Sequence, residues 1–127
     1  MGAEGYRELR VWQRAKDLAV TIYNLSSSGP LSRDFGLRDQ IRRAPVSIPS
    51  NIAEGDERDT NKDSVRFLYI AKGSLAELRT QLEIARDIGA LDATRFDQLE
   101  ATCAEIGRML GSLIKARSKT RRLTYHP

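Results

Sequence analysis

The stretch at residues 67–88, FLYIAKGSLAELRTQLEIARDI, decides the fold class, because its apolar residues recur at helical spacing. A strict heptad runs through it, at Leu68, Ala71, Leu75, Leu78, Leu82 and Ala85. Residues at this spacing lie on one side of an α-helix, which buries them against a neighbouring helix. A second apolar strip on the same segment consists of Phe67, Ile70, Ile84 and Ile88. Two strips on one helix predict two neighbouring helices, and thus an all-α protein.

Three further segments carry an apolar stripe of the same kind. The first, over residues 7–27, contains Val11, Ala15, Leu18, Ile22 and Leu25. The next contains Leu37, Ile41, Ala44, Ile48 and Ile52, and the last, over residues 93–118, contains Phe96, Leu99, Cys103, Ile106, Leu110 and Leu113. The connections are short, and no segment alternates as a half-buried strand does. The sequence therefore predicts an up-down-up-down antiparallel four-helix bundle.

Capping and turn residues predict where these helices begin and end. The cluster at residues 26–30 ends helix 1, and Ser32 is then predicted as the N-cap of helix 2. Gly55 is predicted as a left-handed C-cap of that helix, because glycine has no Cβ to clash at positive φ. Thr60 and Asp92 are predicted as the N-caps of helices 3 and 4.

Pro45 and Pro49 interrupt the stripe of the second helix. Each removes a backbone N–H and crowds the carbonyl group four residues earlier. The second helix is therefore expected to bend or break, which gives the bundle a proline-kinked second helix. Ser47, Pro49, Asn51 and Glu54 could form a recognition surface, but we interpret them as structural. Asn51 or residues of a neighbouring helix are expected to pair with the polar groups that the kink orphans.

Length and composition describe one soluble domain. The chain has 127 residues, of which 40% are hydrophobic and 30% charged. We expect a single domain over residues 1–127, with its bundle core over about residues 6–118. No apolar run reaches the roughly 20 residues of a membrane span, and no signal-peptide core is present, so a cytoplasmic protein is expected. Cys103 is the only cysteine and His126 the only histidine, which predicts no disulfide, metal centre or cofactor.

The net charge of +4 is concentrated at one end of the chain. Residues 1–114 hold 16 Lys and Arg against 17 Asp and Glu, whereas residues 115–127 hold five cations and no acid. The five are Lys115, Arg117, Lys119, Arg121 and Arg122. We expect residues 119–127 to form a frayed basic tail. This segment either neutralises the phosphates of RNA or DNA or is a solvated helix end.

The stretch at residues 40–55, QIRRAPVSIPSNIAEG, resembles the signature of the bacterial four-helix-bundle proteins encoded in 23S rRNA intervening sequences. Residues 9–12 (LRVW) and 73–78 (GSLAEL) resemble further blocks of that family. The resemblance implies a ring-like homopentamer. It also implies kinship with the accessory variability protein of diversity-generating retroelements, which binds nucleic acid and a reverse transcriptase. Pro45 occupies a position where the family pattern has a small residue other than proline.

Five arginines of the first two helices are candidate nucleic-acid ligands. Arg42 and Arg43 head this group, because guanidinium groups form bidentate hydrogen bonds with phosphate oxygens. Arg7, Arg10 and Arg14 are candidates for the same face. The alternative is that each of these arginines is solvated or paired with a nearby acid.

Self-association is expected from two features of the sequence. The second strip on helix 3 offers more apolar surface than one small bundle should leave exposed. Gly107 and Gly111 on helix 4 form a small-residue pair that would let another helix approach closely.

The sequence predicts a protein that is not an enzyme. Arg121 and His126 have an Arg-x4-His spacing that resembles the ribonuclease motif of another four-helix family. A catalytic pair must be held rigidly, and a chain terminus does not hold it, so we interpret the spacing as chance. The leading hypothesis is an oligomeric nucleic-acid-binding or RNA-associated accessory protein. The rival hypothesis is an oligomeric scaffold that binds only protein partners.

Overall fold

The computed structural model describes residues 5–125, with their side chains through residue 118. This part of the chain contains helices and no strand, which confirms the predicted all-α class. A 3-10 turn (Gly5–Glu8) precedes five α-helices. These are α1 (Arg10–Leu25), α2 (Gly29–Arg33), α3 (Phe35–Asp56), α4 (Asn61–Asp87) and α5 (Ala93–Tyr125). The tail predicted at residues 119–127 lies outside the residues whose side chains are described.

The four long helices enclose one apolar core. Helix α3 packs against α1 and α4, and α5 packs against α4 and α1, so each long helix has two neighbours. Every residue of the four predicted stripes is buried, apart from Leu25, Leu37 and Leu113, which are half-buried against the same core. The short helix α2, which the sequence did not predict, adds the buried Leu31. Burial of these stripes is the main stabilising term of the fold.

Two of the predicted N-caps are present and one is wrong. The Thr60 hydroxyl accepts a hydrogen bond from the Asp63 amide at 3.1 Å, and Asp92 accepts one from the Arg95 amide at 2.8 Å. Helix α3 is capped by Asp34, whose carboxylate accepts from the Leu37 amide, and not by Ser32. Ser32 instead lies within α2, because Gly29 and Pro30 begin a separate helical turn there.

Gly55 serves a different purpose from the predicted C-cap. It lies inside α3, and it is not among the glycines with positive φ. A Cβ at this position would lie 3.0 Å from the Ser64 carbonyl oxygen and 3.1 Å from the Phe67 Cβ. The residue is therefore required to be small because α3 and α4 approach each other closely where they meet.

Helix α3 continues through both prolines. It is assigned without interruption from Phe35 to Asp56, and Pro45 and Pro49 are buried within it. The side-chain amide of Asn51 donates to the Ser47 carbonyl oxygen at 2.8 Å. The Ser47 hydroxyl shares a 2.8 Å hydrogen bond with the Ser74 hydroxyl of α4. The Asn51 side chain thus binds the backbone of α3, but its partner is not one of the carbonyl groups orphaned by proline, so this contact is not the predicted compensation.

Candidate nucleic-acid interface

Arg42 is engaged at the C-terminal end of α1. Its Nε donates to the Ser26 hydroxyl at 2.7 Å, and its Nη2 donates to the Ser27 hydroxyl at 3.0 Å. Its guanidinium group also lies 4.0 Å from the ring centroid of Tyr23. Arg42 therefore ties α3 to the end of α1, whereas the adjacent Arg43 is exposed and has no partner among the described residues.

Arg117 is engaged at the opposite end of the bundle. Its Nη2 is 2.7 Å from the Asp56 carboxylate, and its Nη1 donates to the Ser64 hydroxyl. The side chain of Asp56 is only 7% exposed and that of Arg117 is 19% exposed. A buried carboxylate without a cationic partner is unstable, so this ion pair fixes the last described turns of α5 against α3 and α4. The charge of Arg117 is thereby neutralised inside the protein.

Lys115 and Arg117 are the two predicted C-terminal ligands whose side chains are described, and of these two Lys115 is free. It is exposed, and no described residue pairs with it. The remaining predicted ligands, Lys119, Arg121 and Arg122, lie outside the residues whose side chains are described.

The structure does not bring the five helix 1 and helix 2 arginines together. Arg42 contacts Tyr23, which lies about 20 Å along α1 from Arg10 at a rise of 1.5 Å per residue. Arg14 forms an ion pair with Glu105, and Arg7 stacks on the Tyr6 ring at 4.8 Å. Arg10 is exposed and has no described partner. The predicted common face therefore separates into two ends of the bundle.

An open groove lies between the first turn of α1 and the second half of α5. Its volume is about 450 Å³, and Arg10 and Arg108 stand at its edges. The other lining residues are Leu9, Val11, Met109, Ser112, Leu113 and Ala116. Arg108 has no described partner and was missed by the sequence analysis. The sequence feature that could have identified Arg108 is its seven-residue spacing from Lys115, which places both residues on one side of α5.

The only cysteine is not a reactive group. Cys103 is fully buried, and burial, with a smaller contribution from the Glu100 charge, raises the pKa of its thiol to about 12. A thiol with this pKa stays protonated near neutral pH and is a poor nucleophile or metal ligand. Within the described residues, no three His, Cys, Asp or Glu side chains are placed to hold a metal ion. The Arg121 and His126 side chains lie outside the described residues.

Among the residues that the structure describes, no helix combines the length and apolar content needed to cross a bilayer.

Comparison with known proteins places the chain in a family. The model of the 23S rRNA-intervening sequence protein family matches residues 7–112. A crystal structure of a protein with unknown function from the S23 ribosomal protein family of Bacteroides thetaiotaomicron VPI-5482 is similar, with a TM-score of 0.77 and 25% identity. That match covers 83% of this chain and 95% of the other. No protein with a curated description matches the chain. Because the family model spans most of its length, the chain belongs to the 23S rRNA-intervening sequence protein family.

Proposed function

We propose that this protein is a non-enzymatic, homo-oligomeric accessory protein that binds nucleic acid, in association with ribosomal RNA, through the basic C-terminal segment. The observation that carries the proposal is the contrast between Lys115 and Arg117. Arg117 is held by Asp56 and Ser64, while Lys115 is exposed and unpaired among the described residues. The anchored helix thus directs an unpaired cation outward, and three further cations follow it in the sequence.

The family supports an RNA-associated role through its name alone, which refers to intervening sequences of 23S rRNA. The homopentamer, the cytoplasmic location, and the kinship with the retroelement accessory protein and its reverse-transcriptase partner remain parts of the proposal. They are implied by the resemblance of residues 40–55.

The up-down-up-down path is likewise proposed. Two contacts support it for α3 and α4: Ser47 bonds to Ser74, and Gly55 lies against Ser64. Partners that come later in α3 meet residues that come earlier in α4, as in antiparallel neighbours.

The experiment compares two truncations by salt titration of binding to labelled RNA and duplex DNA. Truncation after Ile114 removes Arg117 and leaves Asp56 unpaired, so it damages the fold as well as the segment. Truncation after Ser118 keeps this ion pair and removes only Lys119, Arg121 and Arg122 as cations. We expect this second truncation, combined with Lys115→Ala, to lose most of the affinity while keeping its helical content.

A matched control removes the same number of cations elsewhere. Arg33, Lys62, Lys72 and Arg95 are exposed and have no side-chain partner among the described residues. Their combined replacement by alanine should leave most of the affinity intact, because non-specific attraction depends on where the cations cluster. Equal losses in both variants would contradict the proposal. No binding by the intact protein would favour the scaffold that binds only protein.

A further inference from the structure

A partly exposed strip of aromatic and aliphatic side chains follows α1 and its neighbour α3. Tyr23 and Val20 of α1 are 57% and 53% exposed, and Val46 of α3 is 54% exposed. Trp12 comes 11 residues before Tyr23, and residues 11 apart recur at nearly the same angle on an α-helix, about 17 Å apart. The half-buried ring of Tyr6 contacts that of Trp12 edge-on, with 5.2 Å between the ring centroids. We call these five residues the α1–α3 strip.

Each aromatic ring of the strip has a cation stacked against it. The pairs, with the distance from the cation to the ring centroid, are Arg42 on Tyr23 at 4.0 Å, Arg7 on Tyr6 at 4.8 Å and Lys16 on Trp12 at 5.6 Å. A guanidinium group stacked on a ring extends the flat surface on which a nucleic-acid base can lie. Rings that alternate with cations along one face are typical of surfaces that bind single-stranded nucleic acid.

Arg43 adds a cation that the fold leaves free. It is exposed, and no described residue pairs with it. It precedes Val46 by three residues, so the two lie on the same side of α3. Arg42, by contrast, is fixed by hydrogen bonds to two serine hydroxyls at the end of α1. The two adjacent arginines therefore have different roles: Arg42 supports the Tyr23 ring, and Arg43 is available to a phosphate.

The charge of the strip is complementary to a nucleic-acid strand. Neither Arg7 nor Arg43 forms a salt bridge with a described residue. Lys16 approaches the Asp17 carboxylate at 3.8 Å, but both side chains are more than half exposed, so this contact is weak. A single strand supplies phosphates to the cations and bases to the rings, and thus matches both components of the surface.

One end of the strip lies at the same end of the bundle as the basic C-terminal segment. Gly5, next to Tyr6, lies close to Asp56 of α3, since a Cβ at Gly5 would be 4.0 Å from the Asp56 Oδ2. The same carboxylate group binds Arg117 of α5 through its other oxygen. A strand that lies along the strip therefore leads towards the C-terminal segment, and the two surfaces can contact one strand together.

From these features we infer that the α1–α3 strip binds single-stranded nucleic acid by base stacking, with Tyr23 and Arg42 as the stacking surface and Arg43 as a phosphate ligand. The inference rests on the nucleic-acid binding in the proposed function and adds a second surface with a different selectivity. Bases within a duplex are paired and stacked on each other, so only an unpaired strand presents its bases to the strip. The C-terminal segment attracts any phosphate backbone, whereas the strip selects single strands.

A comparison of two probes tests this selectivity, using a single-stranded oligouridylate and an RNA duplex of equal length. Tyr23→Ala should lower the affinity for the oligouridylate roughly 5- to 150-fold, the effect of losing the stacking of one base, and should leave the affinity for the duplex unchanged. Tyr23→Phe keeps the ring and should bind both probes normally. The matched control is Tyr69→Ala, because Tyr69 is 56% exposed and lies on α4, outside the strip. Equal losses for Tyr23→Ala and Tyr69→Ala overturn the inference.

Salt titration separates base stacking from phosphate contact. Tyr23→Ala should lower the affinity by the same factor at every salt concentration, because no phosphate contact is lost. Arg43→Ala should make the slope of log affinity against log salt shallower by about 0.7 on the single strand. An abasic strand of the same length offers phosphates without bases, so Tyr23→Ala should leave its affinity unchanged. An equal loss on the abasic strand contradicts stacking on Tyr23.

The fluorescence of Trp12 reports on the strip directly, since it is the only tryptophan of the chain. The oligouridylate should quench this fluorescence over the same concentrations at which it binds, and the duplex should not. Circular dichroism checks that every variant is folded. Binding of the oligouridylate without quenching, and without loss in Tyr23→Ala, overturns the inference and leaves the strip available to a protein partner.

The truncation after Ser118 with Lys115→Ala separates this inference from the proposed function. If that variant loses affinity for both probes while Tyr23→Ala loses none, the inference fails and the proposed function stands. If Tyr23→Ala loses affinity for the oligouridylate while the truncated variant binds normally, the strip is the binding surface and the proposed role of the C-terminal segment fails. No binding of either probe by the unmodified protein overturns both.

Discussion

The two sides of α4 carry similar apolar residues but differ in burial. On the inner side, Leu68, Leu78 and Leu82 are fully buried, whereas Ile70, Ile84 and Ile88 on the outer side are about half exposed. Only the inner side forms a heptad that continues without a break from Leu68 to Ala85. The difference teaches that an uninterrupted stripe identifies the core, while an interrupted strip on the same helix identifies surface that the single chain leaves available.

The largest expected effect comes from truncating the inner side. Leu78→Ala should lower the free energy of unfolding by about 2–5 kcal/mol, because the substitution loses apolar burial and leaves a cavity. Ile84→Ala on the outer side should change the stability of the single chain by no more than about 0.5 kcal/mol. Urea denaturation followed by circular dichroism measures both values.

Repeating the titration at two protein concentrations sharpens this comparison. If the outer side of α4 forms an interface between copies, the loss of stability caused by Ile84→Ala grows with protein concentration. The loss caused by Leu78→Ala stays large at every concentration. Similar losses for the two variants at low concentration would contradict the assignment of inner and outer sides.

The same contrast applies to two cations of α5. Arg117→Ala should destabilise the protein by about 3 kcal/mol, because Asp56 is left as a buried carboxylate without its ion-pair partner. Lys115→Ala, two residues away, should be nearly neutral for stability. Thermal unfolding of the two variants tests this, and equal melting temperatures would show that the Arg117 contact adds no stability.

A smaller effect is expected at two glycines. Gly55→Ala should cost about 1–3 kcal/mol, since its Cβ would lie 3.0 Å from the Ser64 carbonyl oxygen. Gly73→Ala on the outer side of α4 meets no atom within 4 Å and should instead stabilise the helix by up to about 1 kcal/mol. Chemical denaturation of both variants distinguishes a packing requirement at Gly55 from an effect of helix propensity alone. Helix propensity alone would predict that alanine stabilises the protein at both positions.

Helical periodicity was enough to predict the core and two of the helix starts. The stripes and the caps at Thr60 and Asp92 depend on residues close in sequence, and these predictions are confirmed. The family resemblance is confirmed as well, by the match over residues 7–112. The predicted capping roles of Ser32 and Gly55 are wrong, because residues outside the capping patterns determine where these two residues lie. Pro30 begins a separate helical turn, and the close approach of α4 requires a residue without a Cβ at position 55.

The candidate site was less predictable because free and engaged cations look alike in a sequence. Arg42 and Arg117 meet partners 16 and 61 residues away, Ser26 and Asp56, and these pairings depend on the packing of whole helices. Arg10 and Arg108 approach one groove from opposite ends of the chain. Charge composition therefore predicted a basic C-terminal segment, but it could not show which of its cations form ion pairs within the folded protein.

The salt dependence of binding to duplex DNA tests the central claim most directly. With Arg117 engaged, each C-terminal segment offers four cations, Lys115, Lys119, Arg121 and Arg122, and each phosphate contact adds about 0.9 to the slope of log affinity against log salt. Truncation after Ser118 removes three of them, so the account predicts a slope shallower by about 2.7 for each engaged segment, with unchanged helical content. A truncated protein that binds with the slope and affinity of the intact chain would contradict the account.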